Sequence, residues 1–379
     1  MDLQGLKYLV VGSGFFGAVI AERIANDLGE RVLVVDKRSH VGGNSYSEVD
    51  PESGVEYHKY GSHIFHTKNQ LVWEYCNRFC TFNNYRHKVL TNYMGRIYQM
   101  PINLSTINGF YGTSLNPDQS RQFIAEEISR ETFAAPANLE EKAVSQIGRP
   151  LYNAFIKGYT AKQWETDPRL LPADIINRLP VRFDYNADYF NDPWQGIPTD
   201  GYGALFRMLL KHPRIEIQLN TDFSEIRSHI PTDCLIIYSG QIDQFFNYQH
   251  GILGWRTLRL ENDVVQTGDF QGTSVMNYSD ESVPFTRIHE FRHYHKERIY
   301  PRDKTFICRE YSKTWHQGDE AYYPINTNAD NVVYNRYVAA AARYKNIIFG
   351  GRLGSYSYMD MDQVIGHALR TYEDSIKKS

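Results

Sequence analysis

This 379-residue sequence contains little cysteine and no large excess of either charge, and each of these features excludes a class of protein. Only four cysteines occur, at irregular spacing, so neither a disulfide-stabilised extracellular fold nor a repeated cysteine metal motif is indicated. The 41 Lys and Arg residues nearly balance the 44 Asp and Glu residues, which gives a net charge of −3. We therefore expect no nucleic-acid partner and no electrostatic binding to an anionic membrane.

Long apolar runs are also missing. No stretch of about 18 consecutive apolar residues occurs, so the sequence predicts no transmembrane helix. The first residues lack the basic and apolar regions of a secretory leader, and we expect a cytoplasmic protein with reduced thiols. The GxSxG motif of serine hydrolases is absent as well. Ordinary fractions of apolar (42%) and charged (22%) residues indicate a globular chain, and its length predicts two or three domains.

Aromatic residues, in contrast, are abundant. The 28 Tyr, 20 Phe and 5 Trp make up 14% of the chain, and tyrosine favours pockets that need a flat apolar face and a hydroxyl. Three histidines, His289, His293 and His295, lie close together in a charged, strand-like region. We favour no metal site there, and none is predicted elsewhere.

The most informative motif lies near the N terminus. A predicted strand (7–11) is followed by the turn Gly12-Ser13-Gly14-Phe15-Phe16-Gly17, a predicted helix (18–28), a second strand (31–35) and Asp36. In such a unit the first glycine makes the tight turn, the second lets the backbone approach a pyrophosphate, and the third lets helix and strand pack closely. The acid at the end accepts hydrogen bonds from a ribose. The pattern predicts a dinucleotide-binding unit.

A second glycine pair and the C-terminal segment refine this prediction. Asp36 is followed, after five residues, by Gly42-Gly43. This spacing resembles the extended motif of FAD-binding Rossmann proteins, so we favour FAD over NAD. Near the C terminus a predicted strand (346–349) leads into Gly350-Gly351-Arg352, and Asp360 precedes an amphipathic helix (363–378). With a central strand at 234–238, the cofactor domain is predicted to be discontinuous.

The middle of the chain divides into two types of pattern. Helical periodicity over 71–79, 118–132 and 139–155 predicts a mostly helical insertion. Alternating apolar and polar residues over 181–198 and 242–309 predict an antiparallel sheet. The predicted fold class is therefore α/β, a discontinuous Rossmann-like FAD-binding domain with a helical insertion domain and an antiparallel β-sheet domain. The predicted boundaries are 1–75 with 200–240 and 330–379 for the first, 76–180 for the second, and 181–199 with 241–329 for the third.

Two arginines and several aromatic residues lie outside the cofactor unit. Arg178 and Arg287 each have the geometry to bind a phosphate through two hydrogen bonds, and Trp164 or a tyrosine has the flat face to stack on a base. A solvated or ion-paired arginine and a half-buried core tyrosine are the alternatives at any one position. The residue pattern alone leaves both interpretations open.

Segments along nearly the whole chain resemble one family, the bacterial UDP-galactopyranose mutases. The segments that carry the resemblance are VVGSGFFGAVIAERI, DKRSHVGGN, HKYGSHIFHT, IKGYTAKQW, NRLPVRF, YFNDPWQGIP, GQIDQFF, VPFTRIHE, GDEAYYPIN and IFGGRLGSYSYMDMDQVI. The resemblance implies bound FAD, a helical domain with a mobile lid, and conversion of a nucleotide hexopyranose to the furanose.

The resemblance also implies roles for individual residues. Arg178 and Arg287 would hold the diphosphate as it leaves the sugar, and His63 would face the flavin, so these three are the predicted catalytic residues. The predicted substrate-binding residues are Phe155, Tyr159, Thr160, Trp164, Tyr189, Asn277, Tyr323, Tyr358 and His87. The predicted cofactor-binding residues are Gly12, Gly14, Phe15, Gly17, Asp36, Lys37, Gly43, Asn44, His63, Ile64, Arg352, Asp360 and Met361.

The implied chemistry uses FAD without net oxidation or reduction. Reduced flavin would form a covalent N5–sugar adduct while UDP leaves, and the furanose would supply a cell-surface polysaccharide. NAD(P)H or another reductant and a homodimer are further implications. Three positions depart from the family pattern: Asp36 stands in place of Glu, His87 in place of Asn, and Ser62 in place of Pro or Ala. A 6-deoxyhexose or N-acetylgalactosamine nucleotide as substrate, a flavin amine or alcohol oxidase, and a non-catalytic nucleotide-sugar-binding flavoprotein stay open as alternatives.

Overall fold

The computed structural model describes residues 3–178 and 181–378, with the backbone alone for residues 174, 177 and 178. These residues form sixteen strands, most of which belong to two large sheets. The strands in chain order are β1 (Tyr8–Val11), β2 (Val32–Val35), β3 (Ser47–Val49), β4 (Glu56–His58), β5 (Phe65–Thr67), β6 (Val89–Tyr93), β7 (Arg96–Met100), β8 (Trp194–Gly196), β9 (Ile215–Gln218), β10 (Leu235–Tyr238), β11 (Trp255–Val265), β12 (Val275–Tyr278), β13 (Arg287–Glu290), β14 (Thr305–Thr314), β15 (Tyr323–Pro324) and β16 (Ile347–Phe349).

Twelve α-helices accompany the described strands, and none of them is long and apolar enough to cross a bilayer. In chain order they are α1 (Phe15–Arg23), α2 (Gln70–Cys76), α3 (Leu104–Tyr111), α4 (Pro117–Ser129), α5 (Leu139–Leu151), α6 (Gly158–Trp164), α7 (Gly201–Leu209), α8 (Phe223–Ile226), α9 (Ile242–Phe245), α10 (Asn328–Ala341), α11 (Gly351–Gly354) and α12 (Met361–Thr371). Short 3-10 or π-helical turns occupy Ile24–Leu28, Gly43–Ser45, Tyr152–Lys157, Pro168–Leu170, Ala173–Arg178, Arg227–His229, Phe291–Tyr294 and Tyr372–Ile376.

The first large sheet is parallel, with the strand order β16-β10-β1-β2-β9. Alternate side chains of its strands enter two different cores, because successive residues of a strand point to opposite faces. Val10 and Val34 pack on the side of α1 and α12, whereas Leu9 and Val11 pack with Phe245 on the other side. Helices cover both faces, as parallel sheets require. The strands come from both ends and the centre of the chain, as the sequence predicted.

The second large sheet has the order β15-β11-β14-β13-β12-β6-β7 and is antiparallel apart from the parallel pair β12–β6. Its centre is β13, which lies between β14 and β12. The register of these strands places Arg287 opposite Glu310 on one side and opposite Asn277 on the other. The α/β fold class with a parallel and an antiparallel part is confirmed.

The two strands β6 and β7 correct the prediction of a mainly helical segment over 76–180. They form a hairpin whose turn residues, Met94 (φ 49°) and Gly95 (φ 78°), both have positive φ angles. Two such residues give the turn a twist that matches the twist of paired strands. The short apolar pieces on either side favour strands, and β6 then adds to β12 of the antiparallel sheet. The remainder of the segment contains α3 to α6, of which α4 and α5 lie in the stretches predicted as helical.

Residues 181–198 also differ from the prediction, which assigned them to the antiparallel sheet. Only Trp194–Gly196 forms a strand there, and it pairs with β5 in a separate two-stranded sheet. The Asp184 side chain accepts a hydrogen bond from the backbone N–H of Asn186 (2.8 Å), and the Asn186 side chain accepts one from that of Asp188 (2.9 Å). Such local side-chain contacts favour turns over strands.

Smaller differences concern single elements. The first helix begins three residues earlier than predicted, at Phe15, and residues 242–245 form α9 in a stretch predicted as sheet. Residues 323 and 324, predicted as loop, form β15. Helix α5 is interrupted at Gly148, whose φ of 77° is not helical. The division into three domains with the stated boundaries stays a prediction.

Gly17 shows how closely α1 packs against the strand that precedes it. A Cβ atom at this position would lie 2.0 Å from the Gly12 carbonyl oxygen and 2.7 Å from Val10 Cγ1. Both neighbours are held by the sheet and its turn, so neither is free to move away. The third glycine of the motif is therefore required by packing, as the sequence predicted.

We expect Gly17→Ala to lower stability by about 1–3 kcal/mol, because the added methyl group overpacks a rigid junction. Thermal unfolding measured by differential scanning fluorimetry gives the change in Tm. The matched control is Gly109→Ala in α3, where a Cβ atom would meet only Tyr98 at 3.8 Å. This exposed helical position should gain about 0.5–1 kcal/mol from the substitution. A Gly17→Ala variant as stable as the Gly109→Ala variant would contradict the packing argument.

Candidate active site

Two glycine segments meet at the carboxyl ends of β1 and β2. The N–H group of Gly12, which has a φ of 96°, donates to the Val35 carbonyl oxygen (2.8 Å). Gly42 donates to the Ser13 carbonyl oxygen (3.0 Å), and a Cβ atom on Gly43 would lie 3.1 Å from Gly14 Cα. The backbones of the two predicted glycine motifs are thus in direct contact.

A third glycine segment approaches the same turn from the C-terminal part of the chain. A Cβ atom on Gly350 would lie 2.0 Å from Phe16 Cζ, and one on Gly351 would lie 3.7 Å from Ser239 Cβ. Ser239 in turn faces Gly12, where a Cβ atom would be 2.3 Å from Ser239 Oγ. Three separate stretches of backbone without side chains therefore surround the N-terminal end of α1. Such a cradle fits the close approach of a pyrophosphate group to backbone N–H groups.

The predicted ribose ligand Asp36 closes this turn. Its side chain is 8% exposed, and Oδ2 accepts hydrogen bonds from the Ser13 backbone N–H (2.8 Å) and hydroxyl (2.6 Å). Oδ1 accepts one from the Arg38 backbone N–H (3.0 Å). The shorter carboxylate, which replaces the Glu of the family pattern, thus lies within the turn. Asn44 lies beside it and accepts a hydrogen bond from the Arg38 guanidinium (2.7 Å).

Six other residues predicted to bind the cofactor are described in the structure. Phe15 packs on Phe206 with a ring-centroid distance of 4.6 Å. Arg352 donates to the carbonyl oxygens of Met359 (3.1 Å) and Tyr322 (3.0 Å). Asp360 is the N-cap of α12, and its backbone N–H donates to Gln363 Oε1 (2.9 Å). Ile64 is buried and Met361 is half-buried. Lys37 Nζ lies 3.5 Å from Glu320 Oε1.

His63 is held as a neutral imidazole. Its Nδ1 lies 2.8 Å from the Gly61 carbonyl oxygen, and since a carbonyl only accepts, Nδ1 carries the proton. Burial lowers the pKa of His63 to about 4, and both Arg352 and Glu310 are near enough to act on it electrostatically. At neutral pH the ring therefore offers a lone pair on Nε2. The electrostatic influence of Arg352 and Glu310 shows that His63 lies near a residue of each of the two large parts of the site.

The centre of that sheet carries an ion pair between a half-buried arginine and a buried glutamate. Arg287 Nε lies 3.1 Å from Glu310 Oε1, and the Arg287 guanidinium also donates to the Tyr159 hydroxyl. Burial on its own would raise the pKa of Glu310, but Arg287 and the hydrogen-bonded His289 lower it to about 2. Burial likewise opposes the charge of Arg287, yet Glu310 raises its pKa. Both groups are therefore charged at neutral pH.

Polar and aromatic groups surround the guanidinium of Arg287. The hydroxyls of Tyr159, Tyr189 and Tyr323 all act on it electrostatically. The ring of Tyr323 lies 6.2 Å from that of Tyr358, which extends the group toward Arg352. Across the sheet, Asn277 Oδ1 is buried and has no hydrogen-bond partner among the described residues. The structure thus brings together most of the predicted diphosphate ligands.

His87 lies at the edge of this group. Its Nδ1 is 2.9 Å from the Tyr85 hydroxyl, and its ring packs edge-on against Tyr189 at 5.2 Å. The Tyr189 backbone N–H also donates to the His87 carbonyl oxygen (2.8 Å). Burial lowers the pKa of His87 to about 3, and Arg287 contributes to the shift. The ring is therefore neutral and adjoins a predicted diphosphate ligand.

Other predicted residues are placed differently. Phe155 is 3% exposed and packs in a core of Tyr98 and Phe110, with ring distances of 5.0 and 5.4 Å. Its face is not available to a base in this arrangement. Thr160 is also buried (7% exposed), and Trp164 is half-buried. The side chain of Arg178 lies outside the described residues, and only its backbone, at the end of a short 3-10 helix, is described.

The sequence predicted no site role for Glu310, His289 or Tyr294. Glu310 Oε2 lies 2.8 Å from His289 Nε2, and Ser62 Oγ lies 2.6 Å from His289 Nδ1 and 2.5 Å from the Tyr294 hydroxyl. The polar chain from Arg287 to Tyr294 is continuous. Glu310 lies one residue beyond the predicted sheet stretch 242–309, and no local pattern in the sequence pairs it with Arg287.

Comparison with known proteins identifies relatives of the whole chain. A family model described as UDP-galactopyranose mutase matches residues 154–358, and a model of an NAD(P)-binding Rossmann-like domain matches residues 10–79. A probable UDP-galactopyranose mutase from Klebsiella pneumoniae is 41% identical over 98% of this chain and 95% of its own length. A dTDP-fucopyranose mutase from Escherichia coli is 39% identical over 98% of this chain and 99% of its own length.

Solved structures agree with the fold. A crystal structure of reduced UDP-galactopyranose mutase matches with a TM-score of 0.72 and 15% identity, covering 99% of this chain and 96% of that one. Putrescine oxidase bound to putrescine matches with a TM-score of 0.55 and 11% identity, covering 98% of this chain and 99% of that one. At these identities the structural likeness concerns the fold alone. The sequence relationships, which run nearly end to end, show that the chain is an isomerase and belongs to the UDP-galactopyranose mutase family.

Proposed function

We propose that this chain interconverts a nucleotide hexopyranose and the corresponding hexofuranose, with UDP-galactopyranose as substrate and reduced FAD as cofactor. The two relatives named above, at 41% and 39% identity, are mutases of a nucleotide-linked pyranose by their names. The observation that carries the proposal is the guanidinium of Arg287. It is half-buried, charged and close to several tyrosine hydroxyls.

A diphosphate fits the surroundings of Arg287 better than an uncharged group does. Glu310 contacts Nε, which orients the guanidinium while other N–H groups stay directed toward Tyr159 and the space beside it. Tyrosine hydroxyls donate hydrogen bonds to phosphate oxygens, and Tyr159, Tyr189, Tyr323 and Tyr358 are the proposed donors. A preorganised cation stabilises the negative charge that develops as a diphosphate leaves a sugar. Arg178 is the proposed second cation, on the family resemblance.

The glycine cradle supports a dinucleotide cofactor, and the acid followed by a glycine pair favours FAD. Gly12, Gly14, Gly17, Gly43 and the backbone beside Arg352 would hold it. When bound and reduced, FAD supplies an electron-rich nitrogen able to act as a nucleophile toward an anomeric carbon. His63 would contribute a neutral ring and its backbone beside the flavin. Roles for Phe15, Asp36, Lys37, Asn44, Ile64, Asp360 and Met361 in FAD binding are part of the proposal.

Two sugars are candidates for the hexose of the substrate. The dTDP-fucopyranose mutase relative is nearly as similar as the UDP-galactopyranose mutase relative, so a 6-deoxyhexose nucleotide is the second candidate. His87 and Ser62 depart from the family pattern near the proposed sugar and flavin sites, which adds to the reason for testing several sugars. NAD(P)H as reductant, a homodimer and a role in polysaccharide synthesis stay predictions.

The direct test incubates the purified protein with a panel of nucleotide hexoses, with and without dithionite, and separates pyranose from furanose products by chromatography. We expect UDP-galactofuranose to form from UDP-galactopyranose only with reduced flavin. Formation of dTDP-fucofuranose instead would support the second candidate. Turnover by oxidised flavin with stoichiometric hydrogen peroxide would contradict the proposal and indicate an oxidase.

Arg287→Ala should abolish turnover while FAD remains bound, because the substitution removes the cation that meets the diphosphate. The expected loss is on the order of 10²–10³-fold in kcat, typical for removal of a group that stabilises developing charge. The flavin absorbance spectrum checks cofactor retention. The control is Arg259→Ala on β11 of the same sheet, whose side chain is 53% exposed and pairs with Glu261. Near-normal turnover of Arg287→Ala would overturn its assigned role.

His87→Asn should alter the choice of sugar with little effect on the nucleotide diphosphate. Both side chains are uncharged at neutral pH, since burial lowers the pKa of His87 to about 3. We expect the Kd for UDP to stay within about twofold, while the ratio of kcat/KM values for UDP-galactose and dTDP-fucose shifts by about tenfold, as for one lost or gained polar contact. An unchanged ratio would exclude His87 from the sugar pocket.

A further inference from the structure

Four backbone carbonyl groups converge on one lysine ammonium beside the proposed active site. Lys162 Nζ lies 2.7 Å from the carbonyl oxygen of Tyr278, 2.8 Å from that of Asp280, 3.0 Å from that of Val283 and 3.1 Å from that of Phe285. All four belong to the chain between the end of β12 and the start of β13, here called the 278–286 turn. The lysine itself lies on α6.

The number of acceptors distinguishes this contact from an ordinary lysine hydrogen bond. An ammonium has three N–H donors, so four carbonyl oxygens at these distances surround a charge rather than pair one to one with donors. Rings of backbone carbonyls are what potassium filters use in place of the water around an ion. Burial lowers the pKa of Lys162 to about 8, and Asp280 and Glu281 oppose the shift. The carbonyl dipoles thus replace water that the ammonium has lost.

The contact joins two elements that each supply a proposed active-site residue. Tyr159 lies on α6, three residues before Lys162, and Arg287 is the first residue after the 278–286 turn. These two side chains are hydrogen-bonded to each other. A second close contact supports the same junction, since a Cβ atom on Gly158 would lie 2.3 Å from the Ser279 carbonyl oxygen. The position of Tyr159 relative to Arg287 therefore depends on how α6 seats on the turn.

We propose that the 278–286 turn forms a monovalent-cation site which the ammonium of Lys162 fills, and that Lys162 is thereby a positioning residue for Arg287 and Tyr159. Its effect on turnover rests on the proposed function, whereas the cation site itself does not. Removal of the ammonium leaves four carbonyl oxygens without their partner and lets the turn move. A small cation with the size of an ammonium head group should then restore the geometry.

The test uses Lys162→Ala in the intact, FAD-loaded protein. The reference salt is tetramethylammonium chloride, whose cation has no N–H groups and is too large for the site. In this salt kcat/KM should fall by on the order of 10²-fold, as expected when reacting groups shift by about 1 Å. Ammonium, methylammonium or potassium chloride at the same ionic strength should restore at least tenfold, with a saturable dose dependence. Lys162→Met should lose activity without rescue, because its side chain occupies the space that the ion needs.

A matched control is present on the same junction. Lys157 Nζ lies 3.4 Å from Glu281 Oε1, and both side chains are largely exposed, at 46% and 61%. Lys157→Ala removes an equal charge from the same junction without touching the four carbonyls. We expect near-normal kcat/KM for this variant and no difference between ammonium and tetramethylammonium salts. A cation response equal to that of Lys162→Ala would show a general salt effect and overturn the proposal.

Thermal unfolding supplies a readout that needs no substrate. Ammonium should raise the Tm of Lys162→Ala, but not that of the wild-type protein or Lys157→Ala, relative to tetramethylammonium. Wild-type protein without mutase activity on any sugar would defeat the proposed function, while a selective Tm increase would still support the cation site. Lys162→Ala with kcat/KM within threefold of wild type, or a variant that ammonium neither activates nor stabilises, would overturn the inference. A variant that stays unfolded in both salts counts against it equally.

Discussion

The rest of the site depends on one constraint, a half-buried guanidinium beside a buried carboxylate on neighbouring strands. Removing two charges from water is costly, and the cost is offset only when each charge has a partner and its other polar atoms are satisfied. Arg287 and Glu310 are such partners because the register of β13 and β14 places them directly opposite each other, with Arg287 Nε 3.1 Å from Glu310 Oε1. The second carboxylate oxygen then needs a partner, and His289 provides it. From there the polar chain continues through Ser62, the residue before His63, to the Tyr294 hydroxyl.

Two cations, Arg287 and Lys162, lie at the same turn and strand and are stabilised in different ways. Arg287 is compensated by a full negative charge, whereas Lys162 is compensated by four carbonyl dipoles of the turn that leads into β13. The ion pair with Glu310 fixes the guanidinium relative to the sheet. The carbonyl contacts of Lys162 fix α6 relative to the turn that leads into the same strand. Tyr159 on that helix reaches the guanidinium only if both hold. The geometry of the site is thus set by a strand register and a helix–turn junction rather than by a flexible loop.

Local sequence patterns predicted the cofactor cradle well, because strand, glycine turn, helix and acid follow each other within about 30 residues. The polar chain behind Arg287 was not predictable in the same way. Glu310 meets Arg287 through strand register, and Ser62 meets His289 across 227 positions, so no local pattern reports either contact. Residues 89–100 show the same limit, since their pairing with β12 decides that a short apolar stretch becomes a hairpin. The packing of Phe155 against Tyr98 and Phe110 is likewise a contact between distant parts of the chain that no local pattern predicts.

The order of strands in the parallel sheet has a consequence for biosynthesis. The first glycine turn leaves the ribosome early, but the glycine pair that completes the cradle lies 333 positions after Gly17, at Gly350. β16, which precedes this pair, adds to the sheet edge only after β10 is in place. A nascent chain therefore holds an exposed, half-built nucleotide site during most of its translation. The glycine segments of the cradle can thus meet only after nearly the whole chain has been synthesised.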